Sequence, residues 1–324
     1  MNVHSPIELK ISTAQSSLFR GDAFALVEQL SASSLDLVIS SPPYNIGKEY
    51  ERGMFSSLDA YKEKMENLIE SLSLKLKDTG SICWQVGNHV KDGSVTPLDY
   101  IFFEIFQRHN FVLRNRIIWR FNFGLNARKR FSGRYETLLW FTKGSDYKFN
   151  LDPVRVPQIY PGKTKKTEKG YKPSGNPKGK NPSDFWEFDA KQSFEGQPVW
   201  DFPNVKANHP EKTIHPCQFP NEVADRCILA LTEIGDTVLD PFAGVGTVIS
   251  CAEARSRVGI GFEFDSRYLM LANERLEQAR LGELVVRQSG RPPRRPNGNE
   301  KVAQVPQEWL DMGLRQHGEA KEQA

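Results

Sequence analysis

The apolar run "LDLVIS" (35–40) ends on Ser41-Pro42-Pro43-Tyr44, a tetrapeptide whose composition suits chemistry better than a plain turn. Asn45 and Gly47 follow, and they would satisfy an ordinary reversal by themselves. Two consecutive prolines instead fix the backbone direction and remove two N–H donors. The carbonyls of the corner stay free to accept hydrogen bonds. Ser41 adds a neutral hydroxyl and Tyr44 an aromatic face. An isolated Pro-Pro-Tyr is most often a stiff strand end and nothing more, so the corner gains meaning only from what accompanies it.

A second strand end accompanies it. "TVLDPFAGVGTVISCAEA" (237–254) reads as strand, glycine turn and helix. Gly244 and Gly246 permit positive φ and close approach of a ligand to the backbone, and the helix start beyond them offers free N–H groups. Such a turn alone suits NAD, FAD, a nucleotide or no ligand at all. The acids narrow the choice. Glu263 ends the next strand, "VGIGFE", where a carboxylate can hold two ribose hydroxyls. Asp240, directly before the loop, would repel a pyrophosphate and favour a positively charged ligand. S-adenosylmethionine has a sulfonium, an α-amino group, free ribose hydroxyls and no phosphate, and fits this pattern better than NAD. The plain alternative is an Asp that caps its loop and a solvated Glu.

Both ends need a scaffold of alternating strands and helices. "DAFALVEQL" reads as a helix before the strand "LDLVIS", and Leu58, Tyr61, Met65, Leu68 and Leu72 recur at helical spacing. "SICWQVG" (81–87) reads as a buried strand after a turn at Asp78-Thr79-Gly80, and Pro97 opens a helix over 97–109. "FVLRNRIIWRF" and "RYETLLWFTKG" read as paired strands around the basic loop "GLNARKRFSGR". From 219 the order is helix, strand, glycine loop, helix, strand "VGIGFEF" and helix "SRYLMLANERLEQAR". This alternation predicts an α/β, doubly wound, mostly parallel sheet.

Composition sets the remaining bounds. The chain has 324 residues, 39% of them hydrophobic, with a net charge of +3, so any nucleic-acid signal must come from local clustering. It does cluster. Residues 160–182 hold seven lysines, four glycines and four prolines, and read as a mobile basic loop unable to bury a core. Arg128, Lys129, Arg130 and Arg134 form a second cluster, and with Lys163, Lys165 and Lys166 they are the candidate phosphate contacts. A solvated surface is the bland reading of both. Cys83, Cys217, Cys227 and Cys251 form no C-x-x-C pair, so neither a metal site nor a disulfide framework is expected. No apolar stretch approaches the ~18 residues of a membrane span, and a reducing cytoplasm is the expected compartment. Residues 288–324 read as a polar, mostly disordered tail with room for a short helix near Trp309.

With "LDPFAGVGT" and "SPPY" together, the chain resembles the amino-group DNA methyltransferases. The tetrapeptide precedes the glycine loop, with the basic insertion between them, an order similar to the β-class. "RGDA" (20–23), "GRYETLLWFTKG" (133–144) and "HPCQFP" (215–220) also resemble segments of that family, and the likeness runs from about residue 18 to 280. The resemblance implies a Rossmann-like class I methyltransferase fold with permuted motifs. It implies a catalytic half over 1–144, an inserted target-recognition region over 145–210, a cofactor-binding half over 211–287 and the tail beyond. It implies that Asp22 contacts the adenine of S-adenosylmethionine and that His215 and Pro216 line its methionine side. Asp240, Pro241, Phe242, Gly244, Gly246 and Thr247 would cradle the cofactor, with Glu263 on its ribose. Trp186, Trp200 and Lys206 would be contacts to double-stranded DNA. The host would be a bacterial or archaeal cell, with a cognate restriction endonuclease as a partner and the enzyme a monomer or homodimer.

The opening corner then has a purpose. An exocyclic amino nitrogen is a poor nucleophile because its lone pair is delocalised into the ring. Acceptors that hold its two hydrogens favour a pyramidal, reactive nitrogen, and Ser41 Oγ with the Pro42 carbonyl can do this on a corner that Pro43 keeps rigid. Tyr44 would stack on a base extruded from the duplex. Ser at the first position leans toward cytosine N4; adenine N6 is the alternative. An NAD-dependent oxidoreductase would leave the corner idle, and an inactive DNA-binding module would leave the cofactor acids idle. Pro216-Cys217-Gln218 imitates the nucleophile tripeptide of carbon-5 cytosine enzymes, but Cys217 precedes the glycine loop and is expected to be a packed cysteine beside the cofactor.

Overall fold

The computed structural model describes residues 15–45, 54–121, 127–158, 163–186, 205 and 209–286. The chain divides into two compact units, Met1–Gly290 and Arg291–Ala324. The second unit, including the expected tail and the Trp309 helix, lies outside the described residues, as do Trp200 and Lys206.

Short apolar runs make the strands and amphipathic stretches make the helices. In chain order they are β1 (Ser17–Arg20), α1 (Ala23–Glu28), β2 (Leu35–Ser40), α2 (Leu58–Lys75), β3 (Leu76–Val86), β4 (Asn88–Lys91), β5 (Ser94–Pro97), α3 (Leu98–Arg108), β6 (Val112–Arg120) and β7 (Tyr135–Thr142). There follow β8 (Thr164–Thr167), β9 (Gly170–Pro173), β10 (Phe185–Trp186), α4 (Asn221–Leu231), β11 (Thr237–Asp240), α5 (Thr247–Ala254), β12 (Val258–Glu263) and α6 (Ser266–Arg280). All six residues of β2 are buried, as befits a strand covered on both faces. From Leu37 onward its side chains alternate between two cores, and Leu35, before the register shift, falls in the second. Leu37 and Ile39 pack with α4 and α5, whereas Leu35 and Val38 pack with α2 and α3.

Eight strands form one sheet in the order β1-β12-β11-β2-β3-β7-β6-β10. Only β7 runs antiparallel to its neighbours β3 and β6 within it; the other pairings are parallel. This is the doubly wound sheet expected from the alternation. Among the described residues no helix is long and apolar enough to cross a membrane.

Three local readings change. The expected turn at Asp78–Gly80 lies inside β3. Leu35 pairs with Leu76 but Leu37 with Ser81, so the extra residues bulge out of a continuing strand whose first residue is already buried. Asp92 and Gly93, both at positive φ (51° and 83°), close the β4–β5 hairpin, which the sequence reading passed over. The basic stretch is no structureless loop over 163–173: β8 and β9 pair there, with Lys165 opposite Lys172 and Lys166 opposite Tyr171. Thr167 Oγ1 donates to Gly170 O at 2.7 Å, and Ser174 N donates to Lys163 O at 2.8 Å, so backbone and hydroxyl bonds close a hairpin that needs no core.

Candidate active site between two strand ends

β2 and β11 are neighbours, with Val38 beside Leu239. From β2 the chain crosses through α2 to β3 on one side; from β11 it crosses through α5 to β12 on the other. Their carboxyl ends therefore flank a topological switch point, where open α/β sheets bind ligands. The proline corner and the glycine corner meet there. Ser40 Oγ donates to Asp240 Oδ1 at 2.6 Å across a separation of 200 residues, and Phe242 N donates to the same oxygen at 3.0 Å. Burial raises the Asp240 pKa to about 7, Glu263 adds to the rise, and the two hydrogen bonds oppose it.

A cavity of about 890 Å³ opens at these ends. Ser41, Pro42, Pro43 and Tyr44 line it, together with Gln85 at the end of β3 and Glu136 on β7. Tyr44 Oη donates to Gln85 Oε1 at 3.1 Å and lies 3.3 Å from Ser41 Oγ. Gln85 Nε2 donates to Glu136 Oε2. Gly87 leaves room for the Tyr44 ring: a Cβ there would stand 3.1 Å from Cε2. Sequence reasoning missed Gln85 and Glu136. The available signal was a polar residue ending the otherwise apolar run "SICWQV" and an acid inside "YETLLWF".

On the glycine side, Asp22, His215, Pro241, Phe242, Gly244 and Glu263 line the same cavity. Asp22 caps α1, its Oδ1 accepting from Phe24 N at 3.1 Å. Gly244, at φ 54°, donates its N–H to Glu263 Oε2 at 2.9 Å, while Asp265 N donates to Oε1 at 2.7 Å. Burial raises the Glu263 pKa against these two bonds. His215 packs edge-on against Tyr268 at 4.6 Å, and burial, helped by Lys212 and opposed by Asp265, lowers its pKa to about 4. Its imidazole is neutral at pH 7.

Other expected residues stand elsewhere. Asp240 is 1% exposed and does not line the cavity; it braces the corners from behind the wall. A Cβ on Gly246, whose φ is 73°, would lie 2.9 Å from Ala272 Cβ, so that glycine serves the contact of α5 with α6. Thr247 is buried and accepts from Arg275 Nη1 at 3.1 Å. Pro216 is exposed and off the wall. Cys217 is also exposed, on the cavity wall, so the expectation of a packed cysteine is corrected. Trp186 is corrected too: pairing of β10 with β6 places it in the core, 4% exposed. Arg128, Lys129 and Arg130 are exposed between β6 and β7, with Arg130 on the wall; Arg134 is half-buried and donates to Gly133 O at 3.0 Å. Lys163, Lys165 and Lys166 are exposed on or beside the β8–β9 hairpin and do not line the cavity.

The groups present fit a phosphate-free nucleoside with positive charge. The carboxylates of Asp22, Glu263 and Asp265 line the wall, and Gly244 leaves backbone room, since a Cβ there would reach no closer than 3.5 Å to the His215 ring.

Comparison with known proteins agrees with this arrangement. The sequence pattern of the N6/N4 type, described as DNA methylase, matches residues 35–274. The chain is 43% identical over 258 residues to the Type II methyltransferase M.BglII of Bacillus subtilis, covering 79% of this chain and 67% of that protein. It is 31% identical over 264 residues to the DNA adenine methyltransferase YhdJ of Escherichia coli (strain K12), covering 81% and 83%. Among solved structures, the PvuII DNA methyltransferase (cytosine-N4-specific) superposes with a TM-score of 0.59 at 20% identity, over 81% of this chain and 88% of that one, which shows a shared fold.

Proposed function

The chain belongs to the N6/N4 DNA methylase family, and from that premise we propose that it methylates the exocyclic amino nitrogen of a base extruded from duplex DNA, cytosine N4 in preference to adenine N6. The observation that carries the reading is the opening of both corners into one cavity from adjacent strands. S-adenosylmethionine is the methyl donor, and when bound it supplies an electrophilic methyl on a sulfonium sulfur. Glu263 offers the ribose hydroxyls the lone pairs that Gly244 and Asp265 leave over, and Asp22 lines the same cavity for the adenine. His215, being neutral, adds no repulsion toward a cation.

The hydrogen-bond directions at the proline corner follow one from another. Glu136 takes the Gln85 amide N–H, which aims Gln85 Oε1 at Tyr44. Tyr44 Oη spends its proton on that oxygen. The Ser41 hydroxyl therefore donates to Tyr44 Oη and keeps its lone pairs for the amino hydrogens of the base. This preset orientation is what electrostatic preorganisation requires. The Pro42 carbonyl is the second acceptor. As the nitrogen–methyl bond forms the sulfur–methyl bond would break, leaving a neutral thioether; the surplus amino proton then passes to solvent water, and no covalent adduct with Cys217 is needed.

The neutral Ser41 supports cytosine, since the first position of the corner carries a hydroxyl rather than a carboxylate. The identity to YhdJ supports adenine as the second reading. Residues 145–210 are proposed as the target-recognition region, and the Type II relatives suggest a restriction endonuclease acting on the same site. Tritium transfer from labelled S-adenosylmethionine to DNA, followed by mass spectrometry of the nucleosides, tests the reading. N4-methylcytosine is expected; N6-methyladenine would move the assignment to adenine, and unlabelled DNA would reject it.

A further inference from the structure

The connection between β6 and β7 carries a side chain that neither core uses. Phe131 is 99% exposed, more than any other large apolar side chain described. It stands between Arg130 and Gly133, both on the cavity wall. Ala127 N donates to Ser132 Oγ at 3.1 Å and pinches the base of this short loop. Arg128, Lys129 and Arg130 are exposed beside the ring, and among the described residues no carboxylate pairs with them. A bare phenyl ring is unfavourable in water. Cations around it call for a polyanion that also offers a flat apolar surface, and duplex DNA with an opened base step has both.

Extruding a base leaves a gap in the stack, and the cost of that gap opposes extrusion. We propose that Phe131 enters the duplex at the target step and fills the space that the extruded base leaves, while Arg128, Lys129 and Arg130 rest on the flanking phosphates. Apolar side chains act as wedges between base steps in other DNA-binding proteins. Here the wedge and the cavity that receives the base share one rim, so insertion and capture take place at the same step. The inference rests on the reading of the Ser41–Tyr44 corner as the base-receiving site.

The test uses the full chain. The modified position is first located on a plasmid methylated in vitro. Two oligonucleotide duplexes containing that position are then made, one fully paired and one with an abasic residue opposite the target base, where extrusion is cheap. Phe131→Ala should slow single-turnover methylation of the paired duplex at least ~10-fold, the order of one lost base–aromatic stack. On the abasic duplex it should match the parent within ~3-fold, on the same scale of comparison. Phe131→Trp should keep most of the rate on both. Unchanged affinity for S-adenosylmethionine checks that the variants are folded. Parental rates for Phe131→Ala on the paired duplex would overturn the wedge. So would equal slowing on both duplexes, which would place the ring on the extruded base itself. A parent that leaves the plasmid unmethylated would instead sink the reading of the active site, and the wedge with it.

Discussion

At the end of β2 the chain turns on two prolines; at the end of β11, one strand away, it turns on glycines at positive φ. The difference follows from what each corner must present. Pro42 and Pro43 offer no N–H, so their corner shows carbonyls and side chains, and Ser41 and Tyr44 are oriented by a relay reaching back to Gln85 and Glu136. The glycine corner shows backbone. Gly244 sends its N–H to Glu263, and Gly246 lets α5 lie against Ala272. One corner holds a reacting atom by side-chain chemistry; the other holds a ligand by backbone approach. The Ser40–Asp240 bond ties them together.

The largest break in this comparison should come at Gly246. Gly246→Ala combines a left-handed backbone with a Cβ meeting Ala272, for a summed cost of ~2–5 kcal/mol. Thermal unfolding should show it clearly. Gly244→Ala, whose Cβ would make only ordinary contact with the His215 ring, should lose only ~1 kcal/mol of stability while weakening S-adenosylmethionine binding. Equal stability losses would mean that the two glycines do the same work.

Asp240 sharpens the link between the corners. Its folded pKa of about 7 lies above its ordinary value of 3.8, so the folded protein holds a proton that the unfolded chain releases. Its contribution to stability is full below about pH 4 and is lost as pH rises through about 7, amounting to up to ~4 kcal/mol. Asp240→Asn can keep both hydrogen bonds and should remove that slope in urea titrations at pH 4 to 8. A cationic ligand favours the charged carboxylate, so parental affinity for S-adenosylmethionine should rise with pH through about 7 and that of the Asn variant should not. Identical slopes in parent and variant would remove Asp240 from both roles.

At the proline corner, Tyr44→Ala should cost ~1–3 kcal/mol of base stacking. Tyr44→Phe keeps the ring but strands Gln85 Oε1 and frees the Ser41 proton, so it should also lose ~1 kcal/mol in single-turnover rate, with cofactor affinity unchanged. Full activity in Tyr44→Phe would show that the relay orients nothing. The smallest effect is expected farthest away: neutralising Lys163, Lys165, Lys166 and Lys169 should flatten the salt dependence of DNA binding by ~0.9 per true phosphate contact. An unaltered slope would leave the hairpin merely solvated.

Much of this was legible in the chain itself. The strands β2, β3, β6, β7, β11 and β12 in their order, both corners and the acids at the strand ends follow from local composition, because proline, glycine and apolar periodicity act over a few residues. What escaped the sequence depends on partners distant along the chain. Asp78-Thr79-Gly80 has turn chemistry, yet pairing with β2 keeps it within a strand. Lys165 and Lys172 face one another in a ladder that their charges alone would discourage. Trp186 has the look of a contact residue until β6 covers it.

Residue types along the chain already fix the chemistry on offer: a donor-poor corner with a hydroxyl and a ring, a glycine turn with acids beside it, and basic segments between them. Those are properties of residue type and short spacing, which solvent and backbone sterics impose anywhere. Which atoms face the cavity depends on the assembled sheet. Sheet order brings Ser40 to Asp240 across 200 residues and buries that carboxyl behind the wall. Helix packing claims Gly246 and Thr247, and the pairing of β3 with β7 carries Gln85 to Glu136, which orients the tyrosine. Burial and hydrogen-bond direction belong to the assembled sheet, and no stretch of the chain contains them until its distant neighbours are in place.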